Sequence, residues 1–234
     1  ADLGTKVAIL RTHVVNNQLD RALAYANQML HEAPDDPELQ FINGSVQLLA
    51  GNLPVAEATM RTLVEGDPSR IQAWLALVRI VASDPKRVEE TEALIAKAQG
   101  SAPDQPELKW AKAGVLERKG DYEGAIAIYE DLYKENSGNP IVANNLASLL
   151  SAHGANPDSF NRAELIARRL RGSSVPAFQD TYGWIAYLRG SYDEAEAELV
   201  KAAAGLPEDA SVQYHLAMTY LAQDKQSEAL AQFR

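Results

Sequence analysis

The sequence predicts an all-α repeat protein, a solenoid of about seven antiparallel helix pairs. Three observations carry that prediction. A small residue recurs at Ala22, Ala56, Thr91, Ala125, Ala163, Ala195 and Ala229, with an apolar residue four positions after each and successive spacings of 34, 35, 34, 38, 32 and 34. A fixed period in this range marks stacked supersecondary units that cannot bury their apolar faces alone. Breakers such as Pro34–Pro37, Asp67-Pro68, Pro106, Pro140, Pro176 and Pro207 punctuate the chain at the same interval, because proline cannot continue a helix. Within each unit, apolar residues at helical spacing flank a short turn, as at Arg189-Gly190-Ser191.

The pairs are expected at about 3–36, 37–70, 71–105, 106–139, 140–175, 176–209 and 210–234, the last incomplete. In the first, Val7, Ile9, Leu10 and Val14 mark one helix, Asn16-Asn17 the turn and Asp20 to Glu32 the second helix; Lys6 and His13 stand where bulky apolar residues are expected. In the second, Pro37 opens the helix where its missing N–H costs nothing, Gly44 admits the partner helix and Gly51-Asn52 turns the chain. The third starts with Trp74, Leu77, Val78 and Val81, and its turn Ser83-Asp84-Pro85-Lys86 holds an extra residue. In the fourth, Gly120 suits a left-handed helix end and Asp121 a cap or first-turn charge. The fifth has a longer turn, His153 to Asn161, and a short basic second helix with Arg168, Arg169 and Arg171. The sixth is the clearest copy. Gly183 and Ala195 are its expected packing contacts, with Trp184 and Tyr187 projecting outward. The seventh begins Tyr214, Leu216, Ala217, Tyr220 and runs in a helical pattern to Arg234; with no Met at Ala1, the chain reads as a portion of a longer protein.

Composition excludes several functions. The net charge of −10 disfavours nucleic acid, which needs clustered Lys and Arg. Without cysteine there are no disulfides, thiolate metal sites or cysteine nucleophiles. No apolar run approaches a membrane span. His13, His31, His153 and His215 fall in no paired metal-ligand spacing, and neither a phosphate loop nor a dinucleotide fingerprint occurs. No cofactor or metal is expected, and no enzymatic activity from this stretch. Asn43-Gly44-Ser45 matches a glycosylation sequon by chance, inside a predicted helix.

With helix pairs near period 34, and with Gly or Ala, then Gly-Asp/Ser-Tyr-x-x-Ala, then Pro repeated along nearly the whole chain, the sequence resembles the tetratricopeptide repeat family. The resemblance implies a right-handed α-α superhelix whose first helices line a concave face. Carried over residue by residue, that face holds Phe41, Leu48, Leu75, Arg79, Trp110, Asn144, Trp184, Tyr187 and Tyr214 as partner-binding residues, with Arg11, Asp180 and Met218 on the same stripe. Large apolar, Trp, Tyr and Arg residues in a groove are the usual anchors of a protein partner; the competing reading is that several simply pack on the next helix. Val7, Phe41, Ser45 and Leu75 occupy the places of a Lys/Asn carboxylate clamp, so that clamp is not expected. Arg79 and Arg118 can offer donor forks to an acidic peptide, with a solvated face the alternative for Arg118.

The implied function is a non-catalytic protein- or peptide-binding scaffold, part of a larger bacterial assembly. The alternatives are an architectural spacer or self-association module, and an envelope polysaccharide-export or secretion component. Asn144 to Leu150 and Asp180 to Ile185 are similar to segments of bacterial envelope tetratricopeptide proteins, which tilts localisation toward the periplasm or envelope.

Overall fold

The computed structural model describes residues 2–154 and 156–233; Ala1, Ala155 and Arg234 lie outside them. The long fifth turn expected from His153 to Asn161 is corrected, because one helix runs to His153 and the next begins at Pro157. The fold is the predicted all-α solenoid of antiparallel helix pairs. The helices are α1 (Leu3–Val15), α2 (Leu19–Glu32), α3 (Pro37–Leu49), α4 (Leu53–Gly66), α5 (Ile71–Ala82), α6 (Val88–Ser101), α7 (Pro106–Lys119), α8 (Tyr122–Glu135), α9 (Pro140–His153), α10 (Pro157–Ala167), α11 (Pro176–Leu188), α12 (Tyr192–Gly205), α13 (Ala210–Ala222) and α14 (Gln226–Gln232). No strand occurs among the described residues. The chain forms two compact units, Ala1–Arg118 and Lys119–Arg234.

Helix starts follow from local chemistry. Asp36, Asn139 and Asp209 cap α3, α9 and α13 by accepting from the N–H groups two and three residues on, which satisfies orphan donors of the first turn. Asp121 caps α8 through Gly124 N–H at 3.0 Å. The turns between paired helices share one conformation: Asn17, Gly51, Gly120, Gly190 and Asp224 have φ of 54°, 79°, 78°, 83° and 59°. That left-handed region favours Gly and tolerates Asn and Asp. Two pairs depart from it. The extra residue of the third turn winds into a 3₁₀ turn at Pro85–Arg87. In the fifth, Gly154 is extended (φ −61°), and α10 runs on into a 3₁₀ turn that buries Leu170.

The small residues Ala22, Ala56, Thr91, Ala125, Ala163, Ala195 and Ala229 are all 0% exposed. Each lies where its helix meets a neighbour, and a larger side chain there would overpack the contact. Thr91 fits because its hydroxyl donates to Arg87 O at 2.8 Å. Two glycines on first helices show how closely the paired helix approaches. A Cβ on Gly183 would lie 2.7 Å from Leu199 Cγ and 3.3 Å from Ala195 O, and one on Gly44 would lie 2.9 Å from Met60 Cε.

In the first unit a continuous apolar core runs through α4 to α7, including Met60, Leu63, Trp74, Leu77, Ile95, Leu108 and Val115; the Trp74 indole N–H donates to Pro68 O at 3.0 Å. In the second unit α11 packs on α12 and lies against both α9 and α13, with Leu199, Ala202 and Leu216 in the core between α12 and α13.

Candidate functional site

The expected binding residues fall into two groups, one in each unit. In the first unit, Phe41, Leu48 and Leu75 are half-buried and pack against the core of α4 to α7, so a good part of their apolar surface is already covered. Arg79 is exposed and Trp110 is 47% exposed. Trp74 and Trp110 differ in fate because neighbouring helical positions point about 100° apart: Trp74 is inside, Trp110 outside. Arg118, read as a peptide contact or a solvated side chain, is exposed. Its Nη1 donates to Ala82 O at 2.9 Å, so the guanidinium satisfies a carbonyl at the end of α5. His13, which stood out against the apolar pattern, donates through Nδ1 to Gln18 Oε1 at 3.0 Å and lies edge-on to Tyr25; Lys6 is paired with Glu32.

In the second unit the sequence-predicted residues Trp184, Tyr187 and Tyr214 come together. The rings of Trp184 and Tyr187, one helical turn apart on α11, are stacked with centroids 4.6 Å apart and planes at 8°. From α13, His215 stacks on Trp184 at 4.1 Å and Tyr214 stands 6.2 Å away at a tilt. Tyr192 and Phe233 extend the cluster through Tyr187 and Tyr214. Tyr187 rests on the α12–α13 core, while Tyr214 is 47% and Leu221 42% exposed. Offset and tilted ring pairs add stability beyond burial, so the cluster forms a rigid aromatic platform that still presents ring surface.

Two residues outside the expected anchor set complete it. His215 Nδ1 lies 2.9 Å from Asp180 Oδ1, and both side chains are more than four-fifths covered. The carboxylate fixes the imidazole against the indole. The signal for this pair was present in the sequence: Asp180 and His215 are 35 residues apart, one repeat plus one position, with Tyr214 beside the histidine. Asn144 lies on α9, where its Nδ2 is 3.3 Å from Asn145 Oδ1 and its enclosed Oδ1 has no hydrogen-bond partner. Behind the platform, Tyr182 O–H donates to Glu194 at 2.6 Å. That bond, with the nearby Arg189, holds the Glu194 carboxyl below its ordinary range, while burial is the main cause raising the Tyr182 phenol.

The second helices carry most of the charge, arranged as ion pairs between successive pairs of helices. Arg162 forms a two-pronged bond to Glu130 at 2.5 Å, Arg189 bridges Glu164 and Glu194, and Lys225 meets Glu196 at 2.5 Å. His153 stacks on Tyr122 at 3.6 Å. Among the described residues no group of three or more His, Cys, Asp or Glu is placed to hold a metal ion, and no helix is long and apolar enough to cross a membrane.

A family model described as tetratricopeptide repeat matches residues 7–71 and 87–140, just over half of the chain. A search of curated proteins finds no match. Among solved structures, a tetratricopeptide repeat protein from Parabacteroides merdae superposes with a TM-score of 0.68 at 15% identity, over 92% of this chain and 82% of that one. PilF of Pseudomonas aeruginosa gives 0.66 at 18% identity, over 84% of this chain and 88% of that one. YrrB, described as a tetratricopeptide protein with an unusual peptide-binding site, gives 0.54 at 16% identity over 74% and 88%. At these identities the likeness is one of fold.

Proposed function

Because the chain belongs to the tetratricopeptide repeat family, a family of protein-interaction scaffolds, we propose that it is a non-catalytic adaptor holding a segment of a protein partner against the first-helix face of its second unit. The observation that carries this reading is the aromatic platform of Trp184, Tyr187, Tyr214 and His215. Rings locked by stacking give a partner large contact area at little entropic cost, the usual character of an interface anchor. The first unit supplies a separate, smaller candidate at Trp110 and Arg79, and Phe41, Leu48 and Leu75 contribute there chiefly as packing.

The test is site-specific crosslinking in the source cell. A photoreactive residue in place of Tyr214 is expected to trap one discrete protein, whereas the same residue at the exposed Lys134 traps none, and Trp184→Ala abolishes the trapping. Capture unaffected by Trp184→Ala refutes the adaptor reading for this face. Trapping of a second copy of the chain alone refutes it in favour of the self-association module.

A further inference from the structure

Asp180 is the one formally charged residue on α9, α11 and α13 together, the histidines His153 and His215 aside. The second helices that back them are crowded with carboxylates and cations, α12 alone carrying Asp193, Glu194, Glu196, Glu198 and Lys201. The first-helix face of this unit is therefore aromatic and uncharged around a single carboxylate. That carboxylate sits beside the indole platform, with its side chain 16% exposed. One of its oxygens meets His215 Nδ1 at 2.9 Å. A carboxylate accepts about four hydrogen bonds through its two oxygens, so the pairing with His215 leaves acceptor capacity. In partly buried surroundings a charge interacts more strongly than in water. A lone anion on an uncharged face discriminates by sign: a cation gains both the carboxylate and the ring quadrupoles, and an anion is repelled by the first without compensation.

We propose that this face selects a partner segment carrying an arginine or lysine side chain among apolar residues, with Asp180 as the charge-reading residue and Trp184, Tyr187 and Tyr214 as the apolar seat. This rests on the adaptor reading above and names the chemistry of the partner.

A library of random dodecapeptides displayed on phage, panned against the whole chain, tests it. The expected outcome is a family of sequences with one Arg or Lys between aromatic or aliphatic residues, depleted in Asp and Glu. A synthetic copy of the leading peptide should bind Asp180→Asn about tenfold or more weakly, the range of a charge-assisted hydrogen bond. Asp180→Glu should restore most of that loss. Replacing the peptide's arginine with citrulline, which keeps the shape and removes the charge, should weaken binding to the unaltered chain equally; this arm needs no protein variant to fold. Selected peptides that need Trp184 but ignore charge, or that bind Asp180→Asn and the citrulline form undiminished, overturn this inference and leave the adaptor reading standing. A library that yields no peptide dependent on Trp184 overturns both.

Discussion

Glu57 on α4 accepts a two-pronged hydrogen bond from Arg87, 30 residues later, with Nη1 and Nη2 at 2.8 and 2.7 Å from its two oxygens. Glu57 directly follows Ala56, the small residue of its helix pair, and Arg87 sits in the turn of the next pair. The same relationship recurs where Glu164 follows Ala163 and meets Arg189, and where Glu196 follows Ala195 and meets Lys225. A carboxylate one position past the small residue thus reaches the turn of the following pair, which staples neighbouring pairs through their second helices.

The acid stability of the first unit should depend on this staple. The bond from Arg87, opposed by burial and helped by Arg61, lowers the Glu57 pKa from 4.5 to about 2. A carboxyl with a lowered folded-state pKa contributes stability above its unfolded pKa and loses it as pH falls through the folded one. The contribution should be full above pH ~4.5 and fade toward pH ~2. Glu57→Gln should cost about 1–3 kcal/mol at neutral pH, as measured by urea denaturation. It should also flatten the fall in midpoint across that acid window. An acid limb as steep as that of the unaltered chain counts against the staple.

Two glycines should respond to alanine with opposite signs. At Gly183 a Cβ would meet Leu199 Cγ at 2.7 Å and a backbone oxygen at 3.3 Å, so Gly183→Ala should destabilise by about 1–3 kcal/mol. At Gly114, inside α7, a Cβ would meet nothing within 4 Å. There Gly114→Ala should stabilise by about 0.5–1 kcal/mol, since glycine is entropically costly in a helix. Thermal melts of the two variants decide it, and equal shifts would show that the helix spacing at Gly183 is looser than described.

Ala195 is 0% exposed, and its carbonyl lies beneath Gly183. Ala195→Leu should therefore overpack the α11–α12 contact at a cost of ~1–3 kcal/mol. An unchanged denaturation midpoint would place this residue in the wrong register.

Asn139 supplies its side-chain oxygen to Ile141 and Val142 N–H at 3.0 and 3.4 Å, and Pro140 then opens α9. Asn139→Ala should cost about 1 kcal/mol and Asn139→Asp almost nothing, because Asp caps as well as Asn. Hydrogen exchange at Ile141 and Val142 should quicken in the alanine variant only.

Much of this was readable because its causes are local in sequence. The period of the small residues, the Asp or Asn before Pro37 and Pro140, and the left-handed turn residues Gly120 and Gly190 each act within a few positions. Trp184 and Tyr187 were legible as a pair for the same reason, being one helical turn apart. The fate of Phe41, Leu48 and Leu75 was less so: a residue on the face of a first helix can turn to a groove or lean on the neighbouring core, and the rotation that decides between them comes from packing.

By itself, then, the sequence determined the helix pairs, their turns and the small residues on which they close, since helix geometry, capping and steric exclusion follow from neighbouring residues. Only the tertiary structure decided that Arg118 reaches the Ala82 carbonyl, that Glu57 reaches Arg87, and that Asp180 holds His215 against Trp184. Those contacts join residues 30 to 36 positions apart, and they depend on how one pair rotates on the next. That rotation is set by the summed packing of whole helices, which no single stretch of the chain specifies.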